Sequence, residues 1–187
     1  MRQSPAQHLA LVALFTALTT IATLIQIPMP ALIGTPFVHL GNALVVISVL
    51  LLGYRQGALA GALGLALADV LTGMAGKAPY YFCETLIVAG VTSIVMIVTR
   101  LRLRATMPKV IAVVMAAVLT KLLMTIGYKV VSGLLLGVSW GVAWTRMLTA
   151  LPPTILNGIT TVLVVCIMHS VLVKNQRFAQ MFGYKNN

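Results

Sequence analysis

The sequence predicts an all-α membrane protein, a bundle of six transmembrane helices with both termini cytoplasmic, and three observations predict it. Of its 187 residues 60% are hydrophobic and 8% charged, with a mean hydropathy of +1.03, too few charges to cover a soluble chain of this size. Apolar runs near the ~20 residues needed to cross a bilayer alternate with short Gly/Pro or charged breaks. Lysine and arginine concentrate in every second break.

The first run, Gln7–Ile27, is longer than the apolar core of a secretion signal, and no small-x-small cleavage site follows it, so an uncleaved span is expected. Pro28, Pro30, Gly34 and Pro36 make the next connection irregular. Further helices are expected over Leu40–Gly53, Gln56–Met74, Pro79–Thr99, Lys109–Gly133 and Pro152–Lys174. Leu134–Leu151, with Trp140, Trp144 and several glycines, reads as a loop or a short interfacial helix. No polar stretch is long enough for a second folded unit, so residues 1–187 are expected to form one membrane domain. Cys83 and Cys166 stand apart from each other and from any ligand spacing, and are expected as reduced, membrane-embedded thiols.

Orientation follows from the basic residues. With the N-terminus inside, Arg2, Arg55, Arg100, Arg102, Arg104, Lys109, Lys174, Arg177 and Lys185 face the cytoplasm, leaving Lys77, Lys129 and Arg146 outside and Lys121 within the fifth helix. The formal charge of +11 then serves orientation and attraction to anionic lipid headgroups rather than nucleic-acid binding.

Only two carboxylates occur, Asp69 and Glu84, on either side of the break Gly73–Pro79. A charge inside a bilayer costs several kcal/mol, roughly 2.5–3.5 on insertion scales, unless it is paired or used, so the two mark a candidate site. At ~1.5 Å per residue Asp69 lies about 20 Å above Gln56, in the outer half. Asn42, Tyr80, Tyr81, Glu84, Tyr128, Lys129 and Asn157 share that half, and His39, Lys77, Trp140, Trp144 and Arg146 flank it from the connections. The cytoplasmic half has no such set. A polar cluster on one side beneath a Pro/Gly loop describes a lidded pocket rather than a channel.

Each feature also has a plainer reading. Asp69 suits a helix end, Glu84 a helix N-terminus, and the aromatics a membrane interface. Lys121 is different: a mid-helix lysine must snorkel, find a counter-ion or face a hydrated cavity. Ala13 and Ala17 lie on one face of the first helix, and Gly57, Gly61, Gly64 and Ala68 form a groove along the third, both suited to close helix packing. No phosphate-binding loop is present, since Gly76-Lys77 runs into Ala78. No nucleophile–base pair or metal-ligand cluster stands out, so an enzyme is not expected and no cofactor is called for. A small membrane enzyme or structural subunit would have the same hydropathy.

The run Phe37-Val-His-Leu-Gly-Asn-Ala-Leu-Val-Val-Ile-Ser-Val-Leu-Leu-Leu-Gly-Tyr-Arg-Gln-Gly57, and Gly61-Ala-Leu-Gly-Leu-Ala-Leu-Ala-Asp-Val-Leu-Thr-Gly73 after it, resemble the S components of energy-coupling factor (ECF) vitamin transporters. The nearest group is the riboflavin type, with carriers of hydroxymethylpyrimidine or pyridoxine; Asn42 stands where aspartate is expected of many relatives. The resemblance implies a subunit of the prokaryotic plasma membrane that captures a small-molecule vitamin outside and docks on a transmembrane coupling subunit bound to two ATPase subunits. It makes Ala13 and Ala17 the docking face and the first outer loop a lid. Glu84 would accept from a ring N–H or amino group, Lys121 and Asn157 would bond hydroxyls, Tyr128 or Trp140 would stack, and His39, Asn42 and Tyr81 would complete the ligand set. Hydroxymethylpyrimidine or pyridoxine is the ligand it favours, with pantothenate or riboflavin next; a carboxylate-bearing ligand would shift the weight to Lys121, Lys129 and Arg146.

Overall fold

In the computed structural model, which describes residues 4–28, 37–101 and 106–174, a reciprocal cap opens the first helix, α1 (Pro5–Leu24). Ser4 Oγ accepts from the Gln7 backbone N–H while Gln7 Oε1 accepts from that of Ser4, with Pro5 supplying the fixed φ of a first turn. The chain then extends, and Ile27–Pro28 (β1) pairs antiparallel with Phe37–Val38 (β2). The Pro30, Gly34 and Pro36 stretch of the expected lid lies outside the described residues. So do Arg2, Arg102, Arg104, Arg177 and Lys185.

Helix α2 (Gly41–Leu71) is one hydrogen-bonded element with a reversal inside it. Gly53 sits at φ 78° and ψ 179°, a conformation open to glycine and costly to other residues, and the two arms fold back on each other there. Ser48 Oγ donates to the Gly57 carbonyl at 2.9 Å and lies 2.7 Å from that of Val45, tying the arms together. A Cβ on Gly57 would meet the Ser48 carbonyl oxygen at 2.5 Å, and one on Gly61 would meet Val45. The helices expected over Leu40–Gly53 and Gln56–Met74 are these two arms. The second also packs on α1, where Thr20 Oγ1 is 3.1 Å from the Gly64 carbonyl and a Cβ on Gly64 would reach Thr19 at 2.6 Å. The face of α1 that packs inward is therefore Phe15, Thr19, Thr20 and Thr23, while Ala13 and Ala17 are exposed.

A turn at Gly73 (φ 77°) and a single 3-10 turn, Ala75–Lys77, lead into α3 (Ala78–Val98). Helix α4 (Met107–Leu135) ends in a tight reversal at Gly137 (φ 74°), where the Val138 N–H closes on the Gly133 carbonyl. Helix α5 then begins at Trp140 and runs to Lys174, which corrects the expected start at Pro152. The prolines at 152 and 153 lie inside a continuous helix rather than at its boundary. Each removes one helical hydrogen bond; in membrane helices neighbouring segments and threonine side chains make up such losses. Thr149 and Thr154 turn their hydroxyls onto the carbonyls of Thr145, Arg146 and Ala150, not onto those of Leu148 and Thr149 that the prolines free.

Five helices among the described residues are long and apolar enough to cross a membrane. α1 packs chiefly on α2, α3 lies between α2 and α4, and α5 lies on α4. Phe15, Ile47, Ala60, Val110, Val114 and Val165 form the dry part of the core. Rows of exposed leucine and isoleucine, such as Leu9, Ile97, Leu123 and Leu163, cover the outside, as expected where the surrounding solvent is hydrocarbon.

Gly57→Ala is expected to lower thermal stability in detergent micelles by an amount typical of overpacking, about 1–3 kcal/mol, because backbone atoms of Ser48 and Val49 stand where the methyl must go. Gly76→Ala, which meets nothing within 4 Å, should leave the melting temperature unchanged, so equal melting curves for the two variants would contradict the packed arms of α2.

Candidate functional site

Side chains from every helix converge on one cavity of about 420 Å³, within the ~300–1,000 Å³ usual for small-molecule sites. Helical periodicity selects them. The turn before α3 and α3 itself contribute Lys77, Tyr81, Thr85 and Val88; α4 contributes Val118, Lys121, Thr125 and Tyr128; α5 contributes Arg146, Ala150, Thr154, Asn157 and Thr161, each set three or four residues apart. The connection ahead of α2, and α2, add His39, Asn42, Val46 and Asp69, and the end of α1 adds Thr23.

The lining is graded. Val45, Val46, Val88, Ala117 and Val118 form an apolar floor continuous with the core. Asn42, Thr85, Lys121 and Asn157 make a polar middle, and Lys77, Lys129 and Arg146 stand at the end nearest the Phe37–His39 connection. The threonines act mainly as acceptors here. Thr85, Thr154 and Thr161 each spend the hydroxyl proton on the carbonyl four residues back, which leaves oxygen lone pairs for the cavity.

Glu84 is behind this wall, not in it. Its side chain is 0% exposed, one oxygen accepts from Lys121 Nζ, and the other lies 2.9 Å from the Tyr80 hydroxyl. Tyr80 also reaches the Met124 carbonyl at 3.1 Å and stacks on Tyr128 with ring centroids 3.8 Å apart. Lys121, 21% exposed, lines the cavity with its ammonium 4.9 Å above the Tyr81 ring, a cation–π geometry. One buried carboxylate thus fixes the position and aromatic neighbour of the lysine that the cavity sees.

Asn157 grips the first connection with both ends of its amide. Its Oδ1 accepts from the His39 N–H at 2.8 Å and its Nδ2 donates to the Phe37 carbonyl at 3.1 Å, so β2 is pinned to α5. His39 in turn accepts the Gly41 N–H at Nδ1, 3.1 Å away. Burial, and then the nearby Lys121 charge, push this imidazole down to about 4, so it is neutral at pH 7.

Of the residues expected from the sequence, His39, Asn42, Tyr81, Lys121, Tyr128 and Asn157 line the cavity. Glu84 does not, because both its oxygens are engaged. Nor does Trp140, which is 61% exposed at the start of α5. Asp69, which the sequence marks as a site candidate without assigning it a ligand role, lines the cavity, only 8% exposed, with Oδ2 lacking any hydrogen-bond partner among the described residues. Its rarity was the available signal, since it is one of only two carboxylates. Cys83 and Cys166 are free thiols, and among the described residues no group of three His, Cys, Asp or Glu side chains could hold a metal.

Five apolar helices around a polar cavity beside the Phe37–His39 segment define the described residues as a helical membrane protein with a small-molecule-sized cavity. Residues 4–174 match the family of ECF-type riboflavin transporter S components. The chain belongs to that family: it is a substrate-specific, multi-pass subunit of a cell-membrane transporter and not an enzyme. No curated protein and no solved structure gives a significant match.

The buried pair sets up an unequal response. Lys121→Met strands a carboxylate without exposed surface and is expected to cost about 3–5 kcal/mol of stability. Glu84→Gln leaves an ammonium that reaches the cavity and should cost less, while the double variant Glu84→Gln/Lys121→Met should recover most of the larger loss. Thermal melting of the three proteins in one detergent reads this directly, and additive losses would contradict the pairing.

His39 gives a pH dependence of known sign. Because its folded value lies near 4, below the ordinary 6.5, its contribution to stability is complete above about pH 6.5 and is lost as pH falls from there through 4, by up to a few kcal/mol. Melting temperatures measured from pH 7.5 to 4 should show this fall, and His39→Asn, whose Oδ1 still accepts the Gly41 N–H, should flatten it.

Proposed function

We propose that this chain is the S component that captures a vitamin or vitamin precursor from outside the cell and releases it inward when docked on an ATP-driven coupling subunit. The observation that carries the reading is that the polar cavity lies at one end of the bundle, while Phe15, Val110, Val114 and Val165 fill the other end with a dry core. A one-sided site binds and holds; it does not conduct.

In this reading the two arms of α2 are separate spans, so the chain crosses six times and both termini are cytoplasmic, which puts Lys77, Lys129 and Arg146 outside. Ala13 and Ala17 form the docking face, supported by their exposure on the side of α1 that α2 does not cover. Hydroxymethylpyrimidine or pyridoxine as ligand relied on Glu84 as acceptor; with Glu84 engaged by Lys121 and Tyr80, that role passes to Asp69. Lys121 and the threonine oxygens take the remaining polar groups, beside Tyr81.

The test separates binding from transport. Ala13→Trp and Ala17→Trp hold a docked partner's backbone away, and lipid supplies no hydrophobic term to compensate. Purified variants should bind the vitamin as the parent does, fail to co-purify with the ATPase-bound subunit, and lose cellular uptake. Normal uptake in both refutes the docking face, and a purified protein from which mass spectrometry releases no small molecule, and which binds none, refutes the capture role.

A further inference from the structure

Outward-facing basic residues are the ones a membrane protein has least reason to keep, because lysine and arginine bias orientation from the opposite side. The sequence leaves three there, Lys77, Lys129 and Arg146. They come from different elements, the 3-10 turn before α3, the last turns of α4 and the first turns of α5, and all three line the same cavity. Lys129 feels the charges of both Lys77 and Arg146.

The protein offers these cations little in return. Among the described residues the one ion pair is Lys121 with Glu84, so Glu84 is already used. Asp69 is the sole carboxylate of the lining; it feels the Lys77 charge from a distance but lies within 4 Å of none of the three. Among the described residues Lys77 Nζ has the Met74 sulfur at 3.4 Å as its hydrogen-bond partner, and Lys129 lies over the Tyr128 ring, 5.9 Å from its centroid. Like charges gathered on one cavity repel unless an anion joins them, while Val46, Val88 and Val118 give the same cavity an apolar part of its lining.

We infer that the ligand of this cavity carries an anionic oxygen group, a carboxylate or a phosphate, held at the mouth by Lys77, Lys129 and Arg146 while its less polar body lies against the valine floor. The inference rests on the capture role proposed above and adds the charge of what is captured. It selects the acid-bearing members among small vitamin-like molecules over neutral ones, hydroxymethylpyrimidine and pyridoxine included, and leaves Asp69 to take a hydroxyl or amino hydrogen of the same ligand.

The full-length protein in nanodiscs of zwitterionic phosphatidylcholine is titrated with three matched pairs, pantothenate and pantothenol, pyridoxine 5′-phosphate and pyridoxine, and riboflavin 5′-phosphate and riboflavin, with tryptophan fluorescence and calorimetry as readouts. In the pair that fits, the anionic member should bind at least about tenfold more tightly. That advantage should shrink as NaCl is raised, because charges near the surface are screened. Lys129→Gln and Arg146→Gln should each remove most of it, read as the ratio of the two members' affinities within the same variant. Lys77→Gln, on an exposed turn, serves where the helix variants unfold, and the salt titration needs no variant.

A neutral member that binds as tightly as its acid in every pair overturns the inference. So does an acid whose affinity ignores both salt and all three substitutions, and so does an effect of the substitutions seen only when anionic phosphatidylglycerol is added, since the cations would then serve lipid. Mass spectrometry of molecules released from protein purified from growing cells separates the two readings. A neutral bound molecule overturns the anionic ligand and leaves the capture role standing, an acidic one supports both, and no bound or binding molecule of any kind overturns both.

Discussion

The burial of Glu84 is the constraint on which the site depends. A carboxylate with no exposed surface, in a helix surrounded by hydrocarbon, is tolerable only if a cation and further donors reach it, and the chain meets this from a single direction. Lys121 and Tyr80 engage its two oxygens, Tyr80 stacks on Tyr128, and Lys121 lies over Tyr81. These contacts fix the register of α3 against α4. That register aligns Tyr81 and Thr85 with Lys121 and Thr125 on the two facing walls, so the residue buried deepest determines what the cavity presents without touching anything inside it.

Close packing and polar lining are largely divided between helices rather than mixed. The small residues Gly57, Gly61 and Gly64 draw the second arm of α2 onto its first arm and onto α1, which makes that region thin and rigid in the absence of a hydrophobic driving force between helices. Between α4 and α5 such crowding recurs at one place beside the cavity, where a Cβ on Gly158 would meet Val118 at 2.7 Å, while Gly127 and Gly141 meet nothing within 4 Å. A scaffold half held by glycine contacts thus supports a half whose lining sets ligand choice.

How much was legible follows from what each signal encodes. The membrane class, the break at Gly53 and the expected gathering of Asn42, Tyr81, Tyr128 and Asn157 on one side follow from hydropathy and helical rise, which are local properties. Whether a carboxylate faces the cavity or the neighbouring helix is not local. Glu84 and Thr85 are adjacent, separated by one helical step, and the pairing with Lys121, 37 residues away, decides that Thr85 lines the wall and Glu84 does not. Pro152 and Pro153 mislead for a related reason: proline marks a helix boundary by its own backbone chemistry, yet α5 passes through both. Asn157 was visible as a polar residue needing a partner, but an amide that binds backbone at both ends looks the same in sequence as one that awaits a ligand.

The two ends of α1 bear on different parts of the proposed cycle. Its exposed Ala13 and Ala17 face away from α2, whereas Thr23 lines the cavity and the Ala22 carbonyl accepts the Leu40 N–H at 3.2 Å. Beyond its last turn the chain enters β1, which pairs with β2, and β2 is pinned to α5 by Asn157. Any displacement of α1 along its axis therefore acts on β1, β2 and the Asn157 amide before it acts on the buried ion pair, which belongs to α3 and α4. On the docking reading, a partner seated on Ala13 and Ala17 would act first on the β1–β2 pair and the Asn157 amide, while Lys121 stays held by Glu84.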